Sequence, residues 1–149
     1  VEKQHKLKFG VWKELEATDV KNGFTWNPHQ GFIKTGGYAL EVFPEARQIK
    51  EKDITPTDIV WFWAEWKFLL EQYPFLCIGG WGKELNITAV CPDLGLAMEV
   101  ARDLDQKAIF CLDTNETIDI GGQGKEPAFP LYLLSHRLQN LGLIDEEEK

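Results

Sequence analysis

The feature that most constrains this chain is a helix punctuated at both ends. Thr55-Pro56-Thr57-Asp58 is a start signal: Thr55 is placed to cap, Pro56 suits the first helical position, and Asp58 completes a Thr-x-x-Asp capping box near the positive end of the helix dipole. Pro74 forbids continuation, so the helix is expected to run to about Tyr73. Its apolar set is broad. Ile59, Phe62, Trp63, Trp66, Leu69, Leu70 and Tyr73 form the expected stripe, while Trp61 and Phe68 form a second one. A helix greasy on two sides needs cover on two sides, so a sheet is expected on the first stripe and another segment on the second.

What flanks this helix alternates at period two. Tyr38 to Phe43 reads as a strand, with Tyr38, Leu40 and Val42 on one face and Ala39, Glu41 and Phe43 on the other, and Pro44 ends it. Phe75–Gly80 and Leu85–Cys91 form a hairpin around Trp81-Gly82-Lys83-Glu84. With the turn centred between Lys83 and Glu84, Leu76, Ile78, Ile87, Ala89 and Cys91 share one face, and Cys77, Trp81, Asn86, Thr88 and Val90 the other. Asp93 then caps a helix carrying Leu94, Ala97, Met98, Ala101 and Leu104 on one side and ending near Gln106. Ala108–Leu112 is a buried strand, and Thr117–Ile120 pairs with it across a turn.

The order strand, helix, strand, strand, helix, strand over residues 38–112 is that of the split βαβ unit of ferredoxin-like domains. The expected fold class is therefore α+β. It has a ferredoxin-like core over 38–112, an N-terminal β-hairpin around Asn27-Pro28-His29-Gln30-Gly31, an added hairpin strand at 117–120, and a C-terminal helix at Leu131–Leu141. Right-handed crossovers put both core helices on one sheet face. The other face, with Phe75, Cys77, Trp81, Thr88 and Val90, is too apolar to be left wet, and the C-terminal helix with its leucine seam is favoured as its cover over a second copy of the chain.

At 149 residues the chain is expected to be a single domain: an N-terminal extension with the hairpin (1–37), the α+β core (38–120), a loop with the C-terminal helix (121–144) and an acidic tail (145–149). The net charge of −8 repels phosphate backbones, which argues against a nucleic-acid partner, and no apolar run approaches the ~20 residues of a membrane helix. Cys77, Cys91 and Cys111 are an odd number without a CxxC pair, which points to packed thiols, with no disulfide framework and no metal site. The N-terminus lacks the apolar segment of a signal peptide, and a cytoplasmic setting is expected.

Chemistry-bearing constellations are sparse. Gly121-Gly122-Gln123-Gly124-Lys125 lacks the glycine and hydroxyl spacing of a P-loop and is read as a glycine turn. Of His5, His29 and His136, only His29 sits among aromatics, at a turn tip near Trp26 and Tyr38, and the single serine, Ser135, gives it no evident nucleophile. Glu41, Asp113, Glu116 and Asp119 are acids in strands or turns that nothing orients mutually. Six tryptophans are the strongest departure from average composition. Those of the long helix are explained by packing, while Trp26 and Trp81 lie at turns, where an exposed aromatic anchors partners.

The runs Gly23-Phe24-Thr25-Trp26-Asn27-Pro28, Gly79-Gly80-Trp81, Lys107-Ala108-Ile109-Phe110, Asp113-Thr114-Asn115-Glu116-Thr117-Ile118 and Gly121-Gly122-Gln123-Gly124 resemble small domains of bacterial and phage proteins that carry no assigned activity. The resemblance implies a bacterial or phage setting and transfers no catalytic motif. The expected function is a non-catalytic protein-interaction or regulatory module. It would present an aromatic surface (Trp26, Tyr38, Trp81) on an acidic domain to a protein partner or a second copy, without a cofactor, nucleic acid or membrane. The alternative is a small-molecule binder or enzyme with a pocket near Trp26, His29, Tyr38 and Glu41, in which His29 and Glu41 would be catalytic.

Overall fold

The structure, a computed structural model, describes residues 9–17, 20, 23–124 and 133–145. His5, the 125–132 part of the glycine loop and C-terminal helix, and all but Asp145 of the acidic tail lie outside the described residues. The protein is mixed α+β, and the strand pairings are antiparallel. Its described elements are α1 (Phe9–Ala17), β1 (Phe24–Asn27), β2 (Gly31–Phe32), β3 (Tyr38–Glu41), β4 (Gln48–Ile49), α2 (Pro56–Gln72), β5 (Cys77–Trp81), β6 (Glu84–Cys91), α3 (Leu94–Asp103), β7 (Ala108–Cys111), β8 (Glu116–Asp119) and α4 (Leu133–Asn140), with a 3₁₀ turn at Pro44–Ala46. The chain divides into two compact units, residues 1–33 with 47–86 and residues 34–46 with 87–149, and β6 contributes its first three residues to one and the rest to the other.

In the first unit the strands run β2-β1-β5-β6, with β4 on the opening residues of β6 (Gln48↔Leu85, Ile49↔Glu84). The β5–β6 turn is the two residues Gly82-Lys83, so the pairing is slipped by two residues from the sequence-based centre. A two-residue slip preserves the faces: Leu76, Ile78 and Leu85 are all fully buried. In register, Trp26 lies opposite Ile78 on that face, and α2 supplies Ile59, Phe62, Leu69 and Leu70 to the same core. The opposite face carries Thr25, Asn27 and Cys77. Asn27 Nδ2 lies 4.0 Å from Cys77 Sγ, and Gly31, opposite Asn27, turns its Cα hydrogen toward the Glu14 carboxylate of α1. The expectation that the C-terminal helix covers this face is not met: α4 packs beside α3 in the second unit, and on this side α1 lies against β2. Leu15 is fully enclosed, and Glu14 Oε1 accepts the Phe32 amide at the sheet edge.

In the second unit β3 is the centre, flanked by β6 (Tyr38↔Cys91, Glu41↔Thr88) and β7 (Tyr38↔Cys111), with β8 outside β7. Gly37, at φ +131, passes so close to the Cys91 carbonyl that a Cβ would clash with it. Tyr38, Leu40, Ala89, Cys91, Ile109 and Cys111 share one face. Asp93 caps α3 by accepting from Leu96 N at 2.9 Å, and α3 buries Ala97, Val100 and Ala101. The leucine seam of α4 (Leu134, Leu138) is buried, but α4 sits beside α3: Gly142 lies against Leu96, and the Cys91 thiol donates to the Leu141 carbonyl. Arg137 fastens it, donating to Val42 O at 3.0 Å and forming a two-pronged pair with Glu45 at 2.9 Å and 2.9 Å. The seam found its partner on the helical side because α3 offers one there.

Candidate interaction surface

The start of α2 forms as its sequence demands. Thr55 Oγ1 accepts from Asp58 N at 3.3 Å, and Asp58 Oδ2 accepts from Thr55 N at 3.0 Å, closing the capping box. With the inward stripe committed to the core, the helical period throws Trp61, Ala64, Glu65 and Phe68 to the other side. Among the described residues no segment covers that side. Trp61 is 71% exposed and Phe68 56%, so the cover expected for the second stripe is absent. Trp66 breaks the helical dihedrals at φ −107°, ψ 17°, and its half-buried ring tilts against Phe68 with centroids 6.0 Å apart. Glu65 is held by Gln48 of β4, whose Nε2 donates to Oε1 at 2.6 Å. On the flank, the Lys67 ammonium lies 5.6 Å from the centroid of the half-buried Trp63 ring.

A second exposed apolar pair lies at the open end of the sheet in the same unit. Trp81 is 69% exposed and lies over Gly23, where a Cβ would come within 2.6 Å of the ring. Ile49, 68% exposed, leaves β4 on the Glu84 side. Of the residues singled out by sequence, Trp26 is enclosed in the core, Trp81 is exposed and Tyr38 is half-buried. His29 is exposed at its turn, where its backbone N–H donates to Asn27 Oδ1 at 2.8 Å. Glu41 is buried, and its backbone carbonyl accepts from Gln106 Nε2. Because they stand three apart on β3, Tyr38 and Glu41 project from opposite faces of the second unit's strands.

The remaining constellations have structural work. The amides of the glycine loop are committed inward: Gly122 N donates to Gln106 O, Gln123 N to Asp105 Oδ1 and Gly124 N to Asp105 O. An acidic residue thus occupies the place where an anion would sit. Asp113 and Asp119 accept from the Gly36 and Gly121 amides as turn-formers. All three thiols are free and buried. Burial pushes the Cys77 thiol up to about 12, against a smaller opposing contribution from Asn27, and burial likewise raises Cys91. Among the described residues no group of three or more His, Cys, Asp or Glu side chains gathers as a metal site would, and no helix is long and apolar enough to cross a membrane. Comparison with protein families, with curated proteins and with solved structures gives no match.

The outward face of α2 was visible in the sequence as a second stripe. What the pattern could not convey is that no other described segment comes to lie on it.

Proposed function

We propose that this protein is a non-catalytic interaction or regulatory module that docks a protein partner on the outward face of α2. The observation that carries the reading is the exposure of Trp61 and Phe68 on a helix whose inner side buries Ile59, Phe62, Leu69 and Leu70. Each such side chain forgoes about 1.5–3 kcal/mol of burial free energy in the isolated chain, a gain that a partner would collect. Aromatic residues in that setting are the usual anchors of interfaces. Trp81 with Ile49 offers a second apolar pair in the same unit. The competing pocket reading has little support, since Trp26 is enclosed, His29 faces solvent, and Tyr38 and Glu41 leave opposite faces of one strand.

The architecture proposed to carry this surface is a ferredoxin-like split βαβ core over residues 38–112. It is supported by β3 lying between β6 and β7, by the tight β5–β6 hairpin, and by the placement of α2 and α3 in the chain order. The proposed setting is the cytoplasm of a bacterium or its phage, in keeping with three unpaired thiols and a charge of −8 that disfavours nucleic acid.

A photo-crosslinking residue placed at Phe68 and, as a control, at the exposed Glu99 of α3 tests the reading in cells of the source organism. A discrete adduct from Phe68 and none from Glu99 is expected. Equal backgrounds from both positions would reject it.

A further inference from the structure

Resting on the docking reading of α2, we propose that the occupant of this face is a cationic amphipathic helix of a partner protein. Trp61 and Phe68 stand seven residues apart on α2, about two turns with the irregular Trp66 between them, close to the repeat at which another helix presents its own i and i+7 side chains. Between them Ala64 leaves a low point where a side chain of the incoming helix can seat.

The charge around the aromatics has one sign. Asp58 lies one turn before Trp61, and Glu65 lies between Trp61 and Phe68. The groups that hold them, the Thr55 amide and hydroxyl and the Gln48 amide, are neutral, and neither carboxylate has an ion-pair partner among the described residues. The one basic residue of α2, Lys67, is turned to the Trp63 ring on the flank. A lysine or arginine beside the apolar seam of the incoming helix would meet Glu65 and the open face of Trp61 together.

The same facts weigh against the other occupants. A second copy laid on α2 brings one Glu65 toward another and sets −8 against −8. An anionic bilayer is repelled by the same carboxylates.

The indole N–H resonances of the six tryptophans in the isotope-labelled full chain report on this directly. The probe is a leucine–lysine peptide of about 18 residues with helical periodicity. Its leucine–glutamate counterpart and phosphatidylcholine vesicles serve as comparisons. The proposal expects the Trp61 signal to move with the lysine peptide and affinity to fall at least about tenfold in Trp61→Ala and in Phe68→Ala. It also expects binding to weaken severalfold as salt rises from about 50 to about 300 mM. Glutamate peptide binding equally well at Trp61 would overturn the cationic partner while leaving the docking face standing, as would a Trp61 shift that follows protein concentration alone. Lysine peptide binding that is indifferent to Trp61→Ala, or a Trp61 response to vesicles and not to the peptide, would overturn the proposal outright. If, in addition, the crosslinker at Phe68 gives no adduct, the docking reading falls with it.

Discussion

Asn27 is the polar hub of the first unit, and changing one atom of it tests how that unit is held. Its side chain is buried; Nδ2 donates to Pro74 O at 2.9 Å and Leu76 O at 3.0 Å, while Oδ1 accepts from His29 N at 2.8 Å and Gln30 N at 3.0 Å. One amide therefore ties the β1 turn to the chain entering β5. Asn27→Asp keeps the shape and the two acceptor contacts but sets a carboxylate oxygen against two carbonyls. Burial and those carbonyls disfavour the ionised form, so its folded pKa rises above the ~3.9 of an unfolded aspartate, with the two turn amides opposing in part. The sign follows. Below ~pH 3.9 the acid is protonated in both states and donates one of the two lost bonds, for a loss of about 1 kcal/mol. As pH climbs, the unfolded chain releases its proton first, and stability falls until the folded pKa is passed. The neutral-pH loss is therefore larger than the loss at acid pH, by about 1.4 kcal/mol for every tenfold weakening of ionisation in the folded chain. Asn27→Ala leaves the buried Leu76 carbonyl and the half-covered Pro74 carbonyl without this donor and should cost about 2–4 kcal/mol at every pH. Urea unfolding of the parent and both variants at acid, mildly acid and neutral pH is the assay. A deficit for Asn27→Asp that is the same at all pH values, or absent at neutrality, would refute the reasoning.

Two further outcomes follow from the buried groups. Cys77 keeps its proton up to about pH 12 in the folded chain but only to about 9 once unfolded, so it adds a loss of stability as pH rises through that interval. Cys77→Ala should flatten that part of the urea-midpoint curve, and thiol reagent should label Cys77 only as fast as the chain opens. Arg137→Met leaves Glu45 and the Val42 carbonyl without their guanidinium and should cost about 3 kcal/mol by chemical unfolding, whereas restoring shape and neutrality with Glu45→Gln beside it should recover part of the loss.

Where local signals and tertiary packing agree, the sequence is legible. The Thr55 box and the Asp93 cap depend on neighbouring atoms only, and both form. The faces of β5 and β6 survive a turn displaced by one residue because that displacement slips the pairing by two, the period of a strand. α1 escapes such reading: no capping residue marks its start, Gly10 lowers its helical preference, and its position is fixed by Glu14 meeting Gly31 and Phe32, residues some seventeen positions away. β4 is two residues long and exists only through its pairing to Leu85 and Glu84. For the surface, Trp26 and Trp81 look alike beside their turns. One faces Ile78 inside the sheet and the other extends past its end, a difference set by strand register and not by local composition. A helix with two greasy sides calls for two neighbours, and the exposure of Trp61 and Phe68 is the exception that marks the candidate surface.

The central claim is that these two aromatics serve a partner and not the fold. The measurement that bears on it most directly is the unfolding free energy of the double variant Trp61→Ala/Phe68→Ala in the full chain. With both side chains more than half exposed, the account predicts a change within about 1 kcal/mol of the parent and an unchanged dependence on denaturant. A loss above about 3 kcal/mol, the size expected of a truncated core aromatic, would show that α2 buries this face within the molecule and would contradict the account.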